Sequence, residues 1–298
     1  MLLKEKIKDL KKKKDALIIA HYYQPDEIQE IADFVGDSLE LSKIARDCKQ
    51  SLIVFCGVSF MGGSAKLIAP DKKVLLPVKD AYCEMATMIG KETIKKLKKA
   101  HPKAKVVTYI NSTVEAKTLT DICCTSSNAV DVVNSIKEDE IIFLPDKNLA
   151  GFVQKKTNKK IITDFGYCPV HDRVNVEDIM KMKKKHPNAL LLVHPECKRE
   201  VEEMADFCSS TSGIIKFVGQ RDENEFIIGT EQGILYKLKE LYPQKRFYMA
   251  KDNFVCWDMK KISLEDLYNS LKDEKYEVII DKATLKKAST CIHKMLSL

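Results

Sequence analysis

Three of the ten cysteines in this chain stand at nearly equal intervals: Cys83, Cys168 and Cys256. Each ends a segment of similar make-up, KKVLLPVKDAYC, KKIITDFGYC and KRFYMAKDNFVC. Three thiolates at one centre leave two readings open: zinc completed by a water, or a [4Fe–4S] cluster in which one iron has no protein ligand. Such an iron is a Lewis acid, able to bind carboxylate or hydroxyl oxygens and to assist loss of water without net redox change. The sequence has no C-x-x-C, which removes zinc ribbons, thioredoxin-type motifs and ferredoxin runs, so the centre must be assembled from distant segments. Cys48, Cys56, Cys123, Cys124, Cys197, Cys208 and Cys291 lack the repeated position and read as packed thiols. Cys197 is the hardest to set aside, because it closes VHPEC next to two further candidates.

Groups able to move protons or hold polar substrates recur in the same rhythm. Three apolar runs end in polar pairs two positions apart: His21 with Tyr23, Tyr109 with Asn111, and His194 with Glu196. In an extended strand both members of a pair project to one face. One pair alone would be an ordinary buried histidine or tyrosine, whereas three at equivalent positions point to a common site. Three helix starts repeat as well, presenting Ser38 in GDSLELSKIA, Ser126 in CTSSNAVDVV, and Thr211 with Ser212 in SSTSGIIKFV. Such residues cap helices, and the amides they accompany also suit phosphate or carboxylate groups.

The elements that must position these groups follow from a threefold repeat. DALIIAHYYQ at 15–24, KVVTYINST at 105–113 and ALLLVHPEC at 189–197 are strand-like. After a helical stretch come SLIVFCGVSF, EIIFLPDKNL and EFIIGTEQGI, and after another helix the cysteine-ending runs. Strands separated by helices predict parallel sheets built from right-handed crossovers, hence three similar three-layer α/β/α domains. The boundaries expected are 1–103, 104–188 and 189–298. Lysine-rich amphipathic helices should precede the first strand of each repeat, YEVIID at 276–281 should add a last strand, and 282–296 should form a closing helix. Ligands bind at the carboxyl ends of such sheets, and three domains presenting those ends to one centre would bring the cysteines together.

Composition fits a soluble globular chain of 298 residues, 45% hydrophobic and 31% charged. The apolar runs are too short to span a bilayer, and the start MLLKEKIKDLKKKK is not a signal peptide, so a reducing cytoplasm is expected. The net charge of +7 comes from lysines spread over helix surfaces and mainly reflects solvated faces. No aromatic stacking motif accompanies it, so nucleic-acid binding is not expected.

Across nearly the whole length, the chain resembles the quinolinate synthase family. The matching segments are AHYYQPDEIQEIADFVGDSLELSKIA, YINSTVEAKTLTDICCTSSNAV, PDKNLAGFV, GYCPVH, VHPEC, the SST cap and GTEQG. The resemblance implies condensation of iminoaspartate with dihydroxyacetone phosphate to quinolinate, with loss of phosphate and two waters, in NAD biosynthesis. It also implies three domains in pseudo-threefold array around one [4Fe–4S] cluster held by Cys83, Cys168 and Cys256. Substrate contacts are implied for His21, Tyr23, Ser38, Tyr109, Asn111, Ser126, His171, His194, Glu196 and Thr211. Glu196, His194, Tyr23, Tyr109 and His21 are the candidates for catalysis, and a functional link to an iminoaspartate-producing enzyme follows. Gly62 and Gly63 in FMGGSAK, and Trp257 after the third ligand, depart from the family pattern. A hydro-lyase acting on another hydroxy acid, or a noncatalytic metal sensor, would use the same cysteines without the phosphate contacts or without Glu196, respectively.

Overall fold

The computed structural model describes residues 2–298, and twelve strands among those residues form three separate four-stranded parallel sheets. The first holds β1 (Ala16–His21), β2 (Phe34–Gly36), β3 (Leu52–Cys56) and β4 (Lys73–Leu75). The second holds β5 (Lys105–Tyr109), β6 (Ile122–Cys124), β7 (Glu140–Leu144) and β8 (Lys160–Ile162). The third holds β9 (Leu190–Val193), β10 (Phe207–Cys208), β11 (Glu225–Gly229) and β12 (Arg246–Met249). Their orders, β2-β1-β3-β4, β6-β5-β7-β8 and β10-β9-β11-β12, are the same arrangement three times.

The two central strands of each sheet are apolar on both faces, because both faces are covered. On one side Ile19 and Phe55, Val107 and Phe143, Leu192 and Phe226 join a single cluster shared by all three sheets. On the other, each sheet has its own smaller core: Ile18 and Val54 against Ile7 and Leu267, Val106 and Ile142 against Ile94, Leu191 and Ile227 against Ile179. Helices Leu3–Lys13, Lys91–Ala100 and Val176–Lys185 each bury one isoleucine of this kind, leaving their lysines in water. Burial of such a side chain stabilises by about 1.5–3 kcal/mol.

The sequence pattern does not show the edge strands β2, β6 and β10. Each follows an aspartate that clips it to the first strand of its sheet. Asp33, Asp121 and Asp206 accept the backbone N–H of Ile18, Val106 and Leu191 at 2.9, 2.8 and 2.7 Å. The aspartates' own N–H groups bond the carbonyls of the same residues at 2.8, 3.0 and 2.9 Å. With two or three residues per strand, no alternation of period two can show.

Segment 276–281 departs from the strand expected for it. It makes one isolated antiparallel bridge, Leu75 to Glu277, against the edge of β4. Its partner strand is only three residues long, and Tyr276, with φ 61°, turns the chain out of extension at the start. The closing helix Lys282–Leu296 forms as expected and packs on β6 and on helices Ser59–Ile68 and Val114–Lys117. There Cys291 Sγ lies 3.2 Å from Cys123 Sγ, both buried. Among the described residues no helix is long and apolar enough to cross a membrane.

Candidate functional site

The carboxyl ends of the three sheets open on one enclosed cavity of about 70 Å³. His21, Tyr23 and Ser38 reach it from the first sheet, Tyr109, Asn111 and Ser126 from the second, and His194, Glu196 and Thr211 from the third. Cys83, Cys168 and Cys256 line it too, with His171 on the loop after Cys168. Of the candidate substrate, catalytic and metal residues, only Ser212 stands apart, its hydroxyl donating to Glu40 Oε2 at 2.6 Å. A wider cleft of about 690 Å³ lies alongside, but of the candidate residues it contains only Cys83.

At the strand ends the chain turns sharply, and two histidines are fixed in the same way. His21 Nδ1 accepts the N–H of Tyr23 at 3.1 Å, and His194 Nδ1 accepts the N–H of Glu196 at 3.3 Å. Burial lowers His21 to about 4 and His194 to about 3, so both rings are neutral near pH 7. With Nδ1 accepting, the proton resides on Nε2, which makes each ring a hydrogen-bond donor; His194 Nε2 lies 3.1 Å from Ser126 Oγ.

A hydrogen-bonded chain crosses the cavity wall between repeats. Tyr23 Oη is 2.6 Å from Thr230 Oγ1, which is 2.9 Å from His171 Nε2. His171 Nδ1 is 2.8 Å from Glu196 Oε2, and the Tyr109 hydroxyl donates to Glu196 Oε1 at 2.7 Å. Burial pushes the Glu196 carboxyl up, but the adjoining imidazoles and the hydrogen bonds from His171 and Tyr109 pull it further down, well below the usual carboxylate range. Burial, with Glu196 next, drives the Tyr23 and Tyr109 hydroxyls well up, so both remain protonated donors.

The helix starts meet, though the caps fall one or more residues from where the sequence suggests. Asp37 caps helix Ser38–Asp47, Asn128 precedes helix Ala129–Ser135, and Ser210 caps helix Thr211–Gly219. Asp37 outcompetes Ser38 because its carboxylate takes two amides, those of Leu39 and Glu40, both at 3.0 Å. Ser126 sits in the turn before its helix. The Ser127 hydroxyl lies 2.8 Å from both Asp37 Oδ2 and Ser210 Oγ, tying the three repeats together at this rim. Asn111 Oδ1 is buried without a hydrogen-bond partner, a free acceptor on the cavity wall.

The cysteine loops are shaped for metal-bound sulfur. Burial raises all three thiols, Cys256 to about 11 and Cys83 and Cys168 beyond that. Backbone N–H groups three residues on, at Ala86, His171 and Met259, act in the opposite direction and favour the thiolate. Half-buried sulfur met by amides, with no lysine or arginine among the described residues lining the cavity, suits a metal centre that supplies the positive charge.

Two carboxylates missed in the sequence hold these loops. Asp146 Oδ2 accepts the Cys168 N–H at 3.0 Å while Oδ1 caps Leu149 at 2.7 Å. Glu231 accepts the N–H groups of Cys256 at 3.2 Å and Gly233 at 2.6 Å, and pairs with Lys260 at 3.1 Å. Their positions in PDKN and GTEQG, at the end of the second apolar run of the second and third repeats, were the available signal. The unusual glycines serve packing: a Cβ at Gly62 would meet Leu76 at 2.8 Å, and one at Gly63 would meet Val114 at 2.9 Å. Trp257 is 67% exposed and lines none of the cavity. Cys197 is buried with its thiol donating to the Gly229 carbonyl at 3.4 Å, away from the site.

Comparison with known proteins agrees over the full length. Residues 5–297 match the family model described as Quinolinate synthetase A protein. The chain is 49% identical over 296 residues to the quinolinate synthase of Clostridium perfringens (strain SM101), covering 99% of this chain and 98% of the relative. It is 50% identical over 283 residues to the quinolinate synthase of Clostridioides difficile, covering 95% and 93%. Quinolinate synthase 2 of the archaeon Methanosarcina acetivorans is 49% identical over 296 residues, covering 99% and 96%.

Proposed function

The chain belongs to the quinolinate synthase family, and from that premise we propose that its central cavity joins iminoaspartate and dihydroxyacetone phosphate into quinolinate, with loss of phosphate and two waters. It is a quinolinate synthase, an enzyme of NAD biosynthesis, in a family that carries a [4Fe–4S] cluster. The observation that carries the reading of the site is convergence: each of three sheets contributes a cysteine and a polar strand-end pair to one buried space. Cys83, Cys168 and Cys256 are the thiolates that would hold the cluster. When bound, the cluster supplies a Lewis-acidic iron toward oxygen groups that leave as water.

The remaining groups divide by chemistry. Both substrates are anionic, and the Nε2–H groups of His21 and His194 with the hydroxyls of Ser38, Ser126 and Thr211 are donors for carboxylate and phosphate oxygens. Asn111 Oδ1 accepts from an imine N–H or a hydroxyl. Glu196 is the one carboxylate among the strand-end pairs and lines the cavity, so it is the group placed to take the proton lost from carbon as the ring forms. Tyr109 on one oxygen and His171 on the other orient it, and the path through His171 and Thr230 to Tyr23 returns protons to departing oxygen. We place the enzyme in the cytoplasm, where reduced thiols persist, downstream of an enzyme that produces iminoaspartate.

The test is anaerobic purification, iron and sulfide analysis, and an assay with both substrates for quinolinate. Cys83→Ser, Cys168→Ser and Cys256→Ser should each fail to assemble the cluster, whereas Cys48→Ser and Cys208→Ser should load normally. A fully loaded Cys168→Ser protein with unchanged spectra would refute the ligand set. A cluster-replete wild type that forms no quinolinate would refute the reaction.

A further inference from the structure

Sulfur, imidazole nitrogen and carboxylate oxygen meet at one edge of the cavity. Donor atoms of Cys168, His171 and Glu196 all lie within 4.8 Å of one another. We propose that in the cluster-free protein these three residues bind a single zinc ion, with water as fourth ligand, and that this ion blocks cluster assembly by occupying Cys168.

All three donors are zinc ligands, and three protein ligands plus water is an open tetrahedral site. His171 Nδ1 is 2.8 Å from Glu196 Oε2 and 3.2 Å from Cys168 Sγ. Ligand atoms around tetrahedral zinc, bonded at about 2.0–2.3 Å, stand roughly 3.3–3.7 Å apart, so the two separations at His171 need to open by only about half an ångström or less. The outer partners that fix zinc ligands are already in place. Thr230 Oγ1 faces His171 Nε2 at 2.9 Å, Tyr109 holds Glu196 Oε1 at 2.7 Å, and Asp146 holds the Cys168 N–H at 3.0 Å. No lysine or arginine among the described residues lines the cavity, so no fixed cation opposes the ion. On binding, the Cys168 thiol gives its proton to solvent, the Zn–S bond forms as aquo ligands leave, and no electrons move. Cys83 and Cys256 have no such companions: this is the sole grouping of three metal-ligating side chains found among the described residues. The site is therefore distinct from zinc held by the three cysteines.

Only the blocking of assembly rests on Cys168 being a cluster ligand. The experiment titrates Zn²⁺ alone into the reduced, cluster-free full chain against a competing chelator, and repeats it with Co²⁺, whose thiolate charge-transfer band reports the sulfur ligand. Wild type should take up one equivalent and show that band. Cys168→Ser and Glu196→Gln should bind at least ~100-fold more weakly and Tyr109→Phe about 10-fold more weakly, the larger loss exceeding what removal of an outer partner causes. Cys83→Ser and Cys256→Ser should bind as wild type does. Glu196→Gln should still assemble the cluster in zinc-free medium, which shows that the variant folds. Zinc-loaded wild type should resist cluster reconstitution until chelator is added. Equal weakening in Cys83→Ser or Cys256→Ser would overturn the proposal, as would a zinc-loaded protein that assembles its cluster at the zinc-free rate. Failure of the zinc-free wild type to assemble any cluster would instead overturn the assignment of the three cysteines.

Discussion

At Glu196, burial alone would keep a proton on the carboxyl, and the adjoining imidazoles of His194 and His171, with the hydrogen bonds from His171 and Tyr109, reverse that preference. Glu196→Gln keeps the shape but cannot cycle a proton, so turnover should fall by roughly 10²-fold or more while the cluster and substrate affinity are retained, measured by steady-state assay on cluster-replete protein. His21 and His194 carry a pH signature of folding. Burial depresses both, to about 4 and about 3, so between pH 6.5 and those values the unfolded chain binds more protons than the folded one. Stability should therefore be greatest above pH 6.5 and fall on acidification through this window, by up to about 1.4 kcal/mol per pH unit for each histidine. Urea denaturation of the cluster-free protein at pH 7, 6 and 5 should show the slope, and His21→Asn should flatten it. The sequence showed these residues because strand-end pairs repeat. It did not show Thr230, Asp146 or Glu231 as site-building groups, since their partners are a remote imidazole and backbone amides, which leave no mark on residue spacing.

At the scale of elements, the aspartate clips explain how strands of two or three residues persist. Each carboxylate satisfies an amide at the outer edge of the first strand while its own N–H closes the reciprocal bond. Asp206→Ala removes a charged acceptor from a partly buried amide and should cost about 1–3 kcal/mol, read as a lowered urea midpoint with unchanged m-value. The long apolar runs announced nine strands and the lysine-rich helices between them, because burial on both faces needs continuous hydrophobic sequence. The edge strands stayed hidden for want of length. The segment 276–281 misled in the opposite sense: Val278 and Ile280 are apolar enough for a strand, but a left-handed Tyr276 and a three-residue neighbour leave one bridge. The helix caps were placed a step away because serine and aspartate stand side by side in GDSLEL, and only geometry decides between them.

For the whole molecule, the decisive feature is that one face of every sheet packs into a single shared cluster. Ala288, Cys291, Ile292 and Met295 of the closing helix belong to the same cluster, so Ile292→Ala should cost 2–5 kcal/mol on the order expected for a core isoleucine. Circular dichroism in the far and near ultraviolet should then lose signal together in one transition at a lower denaturant concentration; separate steps for the three repeats would contradict a common core. The shared cluster also divides the chain's freedom to diverge. Residues in the outer cores, such as Ile94 or Ile179, answer to one sheet and its own helices, so substitutions there can drift within a repeat and be compensated locally. Residues such as Phe143 and Phe226 belong to a cluster drawn from all three repeats at fixed packing density, so a change of volume at one can call for a matching change far along the chain.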